Sequence, residues 1–226
     1  MLICIEGNDS SGKQTQSRRI YEYFQQQNIP SKLITFPDYE SDSSALVKMY
    51  LSGAFGTKPE DVNAKAASIF YACDRFASYK MNWEKDYKKG KVIVADRYTT
   101  SNAIHQASKI DDEAEREEFL KWLFELEYET FGIPTPDIII FLNMPHEISK
   151  NLMKDRANKI SGEEKKDIHE SNLAYLEKTN KNAIEISKKL NWVEITCVDE
   201  QGQLKSVEDI HREIVSVLNE KYEFGR

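Results

Sequence analysis

The chain has 226 residues, room for one α/β domain or two small ones, and its 31 basic against 38 acidic side chains leave a formal charge of −7. That balance argues against binding to a nucleic-acid polymer or an anionic membrane, and leaves room for a small anionic substrate held by a local group of Lys and Arg. No apolar run approaches the ~20 residues of a membrane span, no leader precedes the first apolar run, and Cys4, Cys73 and Cys197 form no C-x-x-C pair, so free thiols in a cytoplasmic protein are expected.

No linker, repeat or low-complexity tract divides the chain, which reads as one domain over residues 1–226. Residues 2–5 form a short apolar run, a buried strand. It leads into Glu6-Gly7-Asn8-Asp9-Ser10-Ser11-Gly12-Lys13, the G-x-x-x-x-G-K spacing of a phosphate-cradling loop. Gly7 and Gly12 permit backbone angles that a Cβ forbids, so successive N–H groups can turn towards phosphate oxygens. The following helix adds its N-terminal N–H groups and positive dipole end. Lys13 supplies a point charge for the β- and γ-phosphates. Gln14 stands where such loops carry a Mg²⁺-binding hydroxyl, and Thr15 follows it.

Residues 11–27 read as a helix and 32–36 as a second strand, stopped by Pro37. Residues 43–51 form a short helix and 63–87 a long one. Residues 91–95 are a third strand, with Asp96-Arg97-Tyr98 at the C-terminal end where ligands bind in open parallel sheets. Helices follow at 101–109 and 113–131, the latter amphipathic and closed by Gly132. Residues 137–142 (DIIIFL) are a fourth strand covered on both faces. A helix at 147–156 precedes the charged segment 157–167, read as a lid. A helix at 168–190, a fifth strand at 192–198 and a closing helix at 207–222 complete the chain. The alternation predicts a parallel sheet with helices on both faces, a three-layer α/β/α arrangement.

Five groups of residues could carry chemistry. The loop is the first. Asp96, at a strand end beside a phosphate loop, is placed to hold Mg²⁺, and Arg97 to fork onto a phosphate. Tyr71 and Arg75, four apart, share a helix face that could stack a planar base and reach its carbonyl or a phosphate. Asn102, in Ser101-Asn102-Ala103-Ile104-His105, has the donor and acceptor that suit a pyrimidine edge. Arg156, Lys159, Lys165 and Lys166 bring positive charge to the lid region, where it could stabilise a moving phosphoryl group. His105, His146, His169 and His211 lack metal-ligand spacing, and no nucleophile–His–carboxylate set is present.

The loop, Phe36-Pro37-Asp38-Tyr39, the segment from Tyr71 to Arg75, Asp96-Arg97-Tyr98 with Ser101-Asn102, and Pro134-x-Pro136-Asp137 occur in that order. Together they resemble the bacterial thymidylate kinases over essentially the whole chain. The resemblance implies a five-stranded P-loop kinase fold, usually a homodimer, and ATP-dependent phosphorylation of dTMP to dTDP with Mg²⁺. It implies that Tyr71 stacks on thymine, that Arg75 and Asn102 meet the base, and that Arg97 holds the acceptor phosphate. Phe36, Tyr39, Ser101 and His105 would line the acceptor pocket, and Asp9 would lie near the acceptor sugar and the metal. Asp167 and Glu170 resemble the acidic pair ending the lid. The family carries a catalytic arginine in the loop or the lid; here Arg156, at the lid's base, is the nearest match. Two alternatives are a kinase for another nucleoside monophosphate, such as dUMP or a purine, and a non-catalytic nucleotide-binding switch. The guanine-reading motif N-K-x-D is approached only by Asn180-Lys181-Asn182-Ala183, inside a helix and without its aspartate.

Overall fold

In a computed structural model, which describes residues 1–153, 167–169 and 171–222, the strands are β1 (Leu2–Gly7), β2 (Ser31–Thr35), β3 (Val92–Asp96), β4 (Ile138–Asn143) and β5 (Val193–Thr196). They form one sheet in the order β2-β3-β1-β4-β5, with every neighbouring pair parallel. The helices are α1 (Lys13–Gln26), α2 (Ala45–Leu51), α3 (Ala64–Ser78), α4 (Glu84–Lys88), α5 (Thr99–His105), α6 (Glu113–Phe124), α7 (His146–Met153), α8 (Leu173–Lys189) and α9 (Val207–Lys221).

Every residue of β1 is buried, because helices cover both faces of the sheet. Side-chain alternation sorts its residues into two cores. Ile3 and Ile5 join Ile20 and Phe24 of α1 and Ile210, Ile214 and Leu218 of α9. Leu2 and Cys4 point the other way, towards Tyr79, Trp83, Ile93 and Tyr98. A further core on that second side joins Ala103 and Ile104 of α5 to Phe119 and Leu123 of α6 and Ile186 of α8.

Several boundaries differ from the sequence reading for local reasons. Helix α1 begins at Lys13 rather than residue 11 because Gly12 turns through a left-handed φ of 88°. Helix α8 begins at Leu173 rather than residue 168. Asn172 caps it by accepting from the Tyr175 N–H, while the preceding turn is held separately, with the Ile168 N–H donating to the Leu51 carbonyl. The expected helices at 63–87 and 113–131 each contain a wider, π-helical stretch, Tyr79–Trp83 and Glu125–Thr130. A one-residue widening leaves the apolar stripe nearly intact, so periodicity does not reveal it.

Candidate active site

Strands β1 and β3 are neighbours, yet the chain leaves them in opposite directions across the sheet, to β2 and to β4. Such a divergence opens a crevice at the carboxyl ends of the two strands. The glycine loop leaves β1 there, and Arg97 directly follows β3.

The loop geometry follows from its glycines. Gly7 has φ 153°, and a Cβ on it would come within 2.8 Å of the Leu142 carbonyl oxygen. Ser10 also adopts a left-handed φ of 59°. Lys13 folds back so that Nζ donates to the Asn8 carbonyl at 2.5 Å. Burial, then the Arg97 charge, bring its pKa down from 10.5 to about 7, against the pull of Asp9, Glu6 and Asp96. The Asn8 amide and the Ser10 and Ser11 hydroxyls are buried without a protein partner among the described residues. Gln14 and Thr15 lie exposed on the first turn of α1.

Arg97 is the hub of the opposite side. Its backbone is strained into a left-handed φ of 67°. Its guanidinium donates to Asp9, lies 3.8 Å from Glu6, and approaches the Ser101 hydroxyl at 3.4 Å and His105 Nε2 at 3.3 Å. Burial alone would raise the Asp9 pKa, but Arg97 and then Lys13 hold it well below the usual carboxylate range. Glu6 is fully buried and accepts from the Gly7 N–H and the Thr100 and Ser101 hydroxyls. Asp96 is buried at the end of β3.

Beside this hub lies a cavity of about 910 Å³. Its lining brings together Phe36, Tyr39, Tyr71, Arg75, Arg97, Ser101, Asn102 and His105, the acceptor-side residues expected from the sequence, together with Asp9 and Gln14. Phe36 leans on Tyr98 at 5.9 Å. The Asn102 amide donates to the Ser68 carbonyl at 3.2 Å. Arg75, 1 % exposed, is forked by Glu127, which raises its pKa against the effect of burial.

The sequence reading missed Glu127 and the residues behind His105. The His105 and His169 rings stack at 6.0 Å. The Tyr50 hydroxyl contacts His169 Nε2 at 2.9 Å and accepts from Lys109 Nζ at 2.9 Å. Burial, reinforced by nearby cations, lowers the His105 pKa to about 3, so its ring is neutral at pH 7. Asp167 also lines the cavity. Arg156, Lys159, Lys165, Lys166, Glu170 and the rest of residues 157–166 lie outside the described residues.

The side-chain oxygens of Asn8, Ser10, Ser11, Asp9 and Asp96 are the hard donors that Mg²⁺ prefers. Among the described residues no three His, Cys, Asp or Glu side chains gather as a metal cage.

The thymidylate kinase family model matches residues 5–214. The chain belongs to the thymidylate kinase family. Its reaction is ATP-dependent phosphorylation of dTMP to dTDP. A probable thymidylate kinase of Thermococcus onnurineus is 26% identical over 223 residues, covering 96% of this chain and 97% of the relative. The thymidylate kinase of Mycobacterium tuberculosis is 27% identical over 164 residues, 72% of this chain and 74% of that protein. A solved thymidylate kinase structure from Candida albicans shares the fold, with a TM-score of 0.72 at 21% identity, covering 97% of this chain and 91% of that one. No described helix is long and apolar enough to cross a membrane.

Proposed function

We propose that the 910 Å³ cavity is the dTMP pocket and the glycine loop the ATP site, where Asp9 and Asp96 would hold Mg²⁺. The observation that carries this reading is that the glycine loop and Arg97 leave the ends of two adjacent strands, with Lys13 at the head of α1 near enough to feel the Arg97 charge, beside a cavity large enough for a nucleotide. Residues 7–15 bind the ATP phosphates through backbone N–H groups, the α1 N-terminus and Lys13. Arg97 holds the acceptor phosphate. Tyr71 stacks on the base and Arg75 donates to its carbonyl, with Phe36, Tyr39, Ser101, Asn102 and His105 shaping the wall.

An acceptor phosphate oxygen attacks the γ-phosphorus in line, the bond to the β–γ bridging oxygen breaks, and ADP leaves. Little proton transfer is needed, so positioning and charge stabilisation dominate. Lys13, Arg97 and Arg156 supply the positive charge, and Asp9 orients Arg97. Bound Mg²⁺ would neutralise charge developing on the phosphate oxygens. The whole chain acts as one kinase domain in the cytoplasm, with residues 157–167 as its lid. The exposed residues Ile69, Cys73 and Phe76, at helical spacing on α3, support a homodimer through that face.

A coupled ADP-release assay across dTMP, dUMP, dCMP and purine monophosphates tests the reading. The highest kcat/KM is expected with dTMP. A larger value for another nucleotide reassigns the acceptor, and ATP binding without transfer to any acceptor makes the chain a regulator. Light scattering checks the dimer.

A further inference from the structure

Behind the cavity wall, paired with the lining residue Arg75, lies a carboxylate with no part in the phosphoryl transfer. Glu127 lies in the π-helical stretch after α6 and is completely shielded from solvent. It accepts the Arg75 Nε–H at 2.6 Å and an Nη2–H at 2.5 Å. The Thr99 hydroxyl, at the start of α5, donates to the same carboxylate at 2.8 Å, and the Asn102 amide reaches it at 3.5 Å. A guanidinium gripped this way has a fixed plane, and only its remaining N–H edge can meet a ligand. Its charge is already matched, which suits a neutral acceptor atom. Arg97, with Lys13 near enough to feel its charge, suits an anion.

We infer that Glu127, seated by Thr99, is a positioning residue that fixes Arg75 as a donor-only reader of a base carbonyl, and so sets the preference for thymine over cytosine. This rests on the proposed dTMP pocket and on Arg75 meeting the base. A donor-only edge accepts a ring carbonyl; against the cytosine amino group it leaves two donors facing each other.

The test measures KM and kcat for dTMP, dCMP and ATP in Glu127→Gln, Thr99→Val and Arg75→Lys, with circular dichroism to confirm folding. Glu127→Gln is expected to raise the dTMP KM roughly tenfold or more, since it breaks a buried charge pair. The ATP KM holds, kcat changes far less than the dTMP KM, and the dTMP-to-dCMP preference narrows. Thr99→Val leaves the ion pair in place and shifts the same quantities severalfold. An unchanged dTMP KM and selectivity in Glu127→Gln overturns the inference, as does an equal loss in the dTMP and ATP parameters. Should Glu127→Gln fail to fold, Thr99→Val decides, and wild-type selectivity there overturns it. Arg75→Lys separates the two layers. If it keeps wild-type dTMP KM and selectivity, the base-contact reading fails. If it loses selectivity while Glu127→Gln keeps it, only the positioning role fails.

Discussion

The glycine loop and the proposed acceptor wall face each other across the ends of β1 and β3 and differ in how several of their polar groups are satisfied, although His105 Nδ1 and the Gln106 amide on the wall are also buried without a partner among the described residues. In the loop, the Asn8 amide and the Ser10 and Ser11 hydroxyls are buried with no protein partner among the described residues. On the wall, Glu6 gathers two hydroxyls and a backbone N–H, and Glu127 gathers an arginine and a hydroxyl. The contrast follows from what each side is proposed to bind. A phosphate can be met by backbone N–H groups in many loop sequences, so the loop invests in φ angles and leaves side-chain groups for the ligand. A base and a monophosphate must be told from close relatives, so the wall fixes its donors beforehand with second partners.

The largest expected break in this comparison comes from removing a charge on either side. Lys13→Ala and Arg97→Ala should each lower kcat by roughly 10²-fold or more, the scale of losing one charge-stabilising group. Near-normal turnover in a folded variant, followed by ADP release, would remove that residue from the mechanism.

Gly7→Ala comes next. A Cβ there meets both the Ser11 hydroxyl and the Leu142 carbonyl oxygen, so the loop must shift. An increase of at least several-fold in the ATP KM is expected, together with a loss of about 1–3 kcal/mol in stability by chemical denaturation. The dTMP affinity should change much less; an equal loss there would mean that the two sides are one mechanical unit.

The stability of the two sides can also be compared directly. Thr100→Val removes a buried donor to Glu6 and should cost about 1–3 kcal/mol. Ser11→Ala removes a hydroxyl without a protein partner and should be neutral or slightly stabilising in a thermal melt of the ligand-free protein. Equal losses would erase the distinction between a pre-wired wall and a ligand-completed loop.

The smallest effect expected is in pH dependence. The Lys13 pKa is about 7 in the folded chain against an ordinary 10.5. The unfolded state therefore binds more protons between those values, and this group adds to folding stability as pH rises through that window. ATP phosphates favour the charged ammonium, so ATP affinity should fall severalfold from pH 7 to pH 9. A flat profile by titration calorimetry would place the Lys13 pKa outside that range.

Much of the fold was legible because its signals are local. Apolar runs of strand length alternate with longer amphipathic segments, and only a parallel sheet covered on both faces accommodates that pattern. The loop was legible because glycine spacing reports backbone geometry directly. Residues 168, 169, 171 and 172 were misread as helix, since nothing local says that the Ile168 N–H will donate to the Leu51 carbonyl and leave Asn172 to cap the helix. Glu127 was illegible for a related reason. It is one of three alternate glutamates, Glu125, Glu127 and Glu129, and sequence offers no ground for choosing among them. A π-helical turn and the position of Arg75, more than fifty residues earlier, bury it.

By itself the sequence determined the five strands, the glycine loop and many of the residues that line the cavity, because periodicity, glycine positions and motif order are properties of the chain. Only the tertiary structure decided how those residues are wired: Arg97 to Asp9 and Glu6, Arg75 to Glu127, and His105 against His169. The physical reason is burial. A charged side chain taken out of water requires a partner, and that partner is chosen by which elements pack together rather than by its place in the sequence.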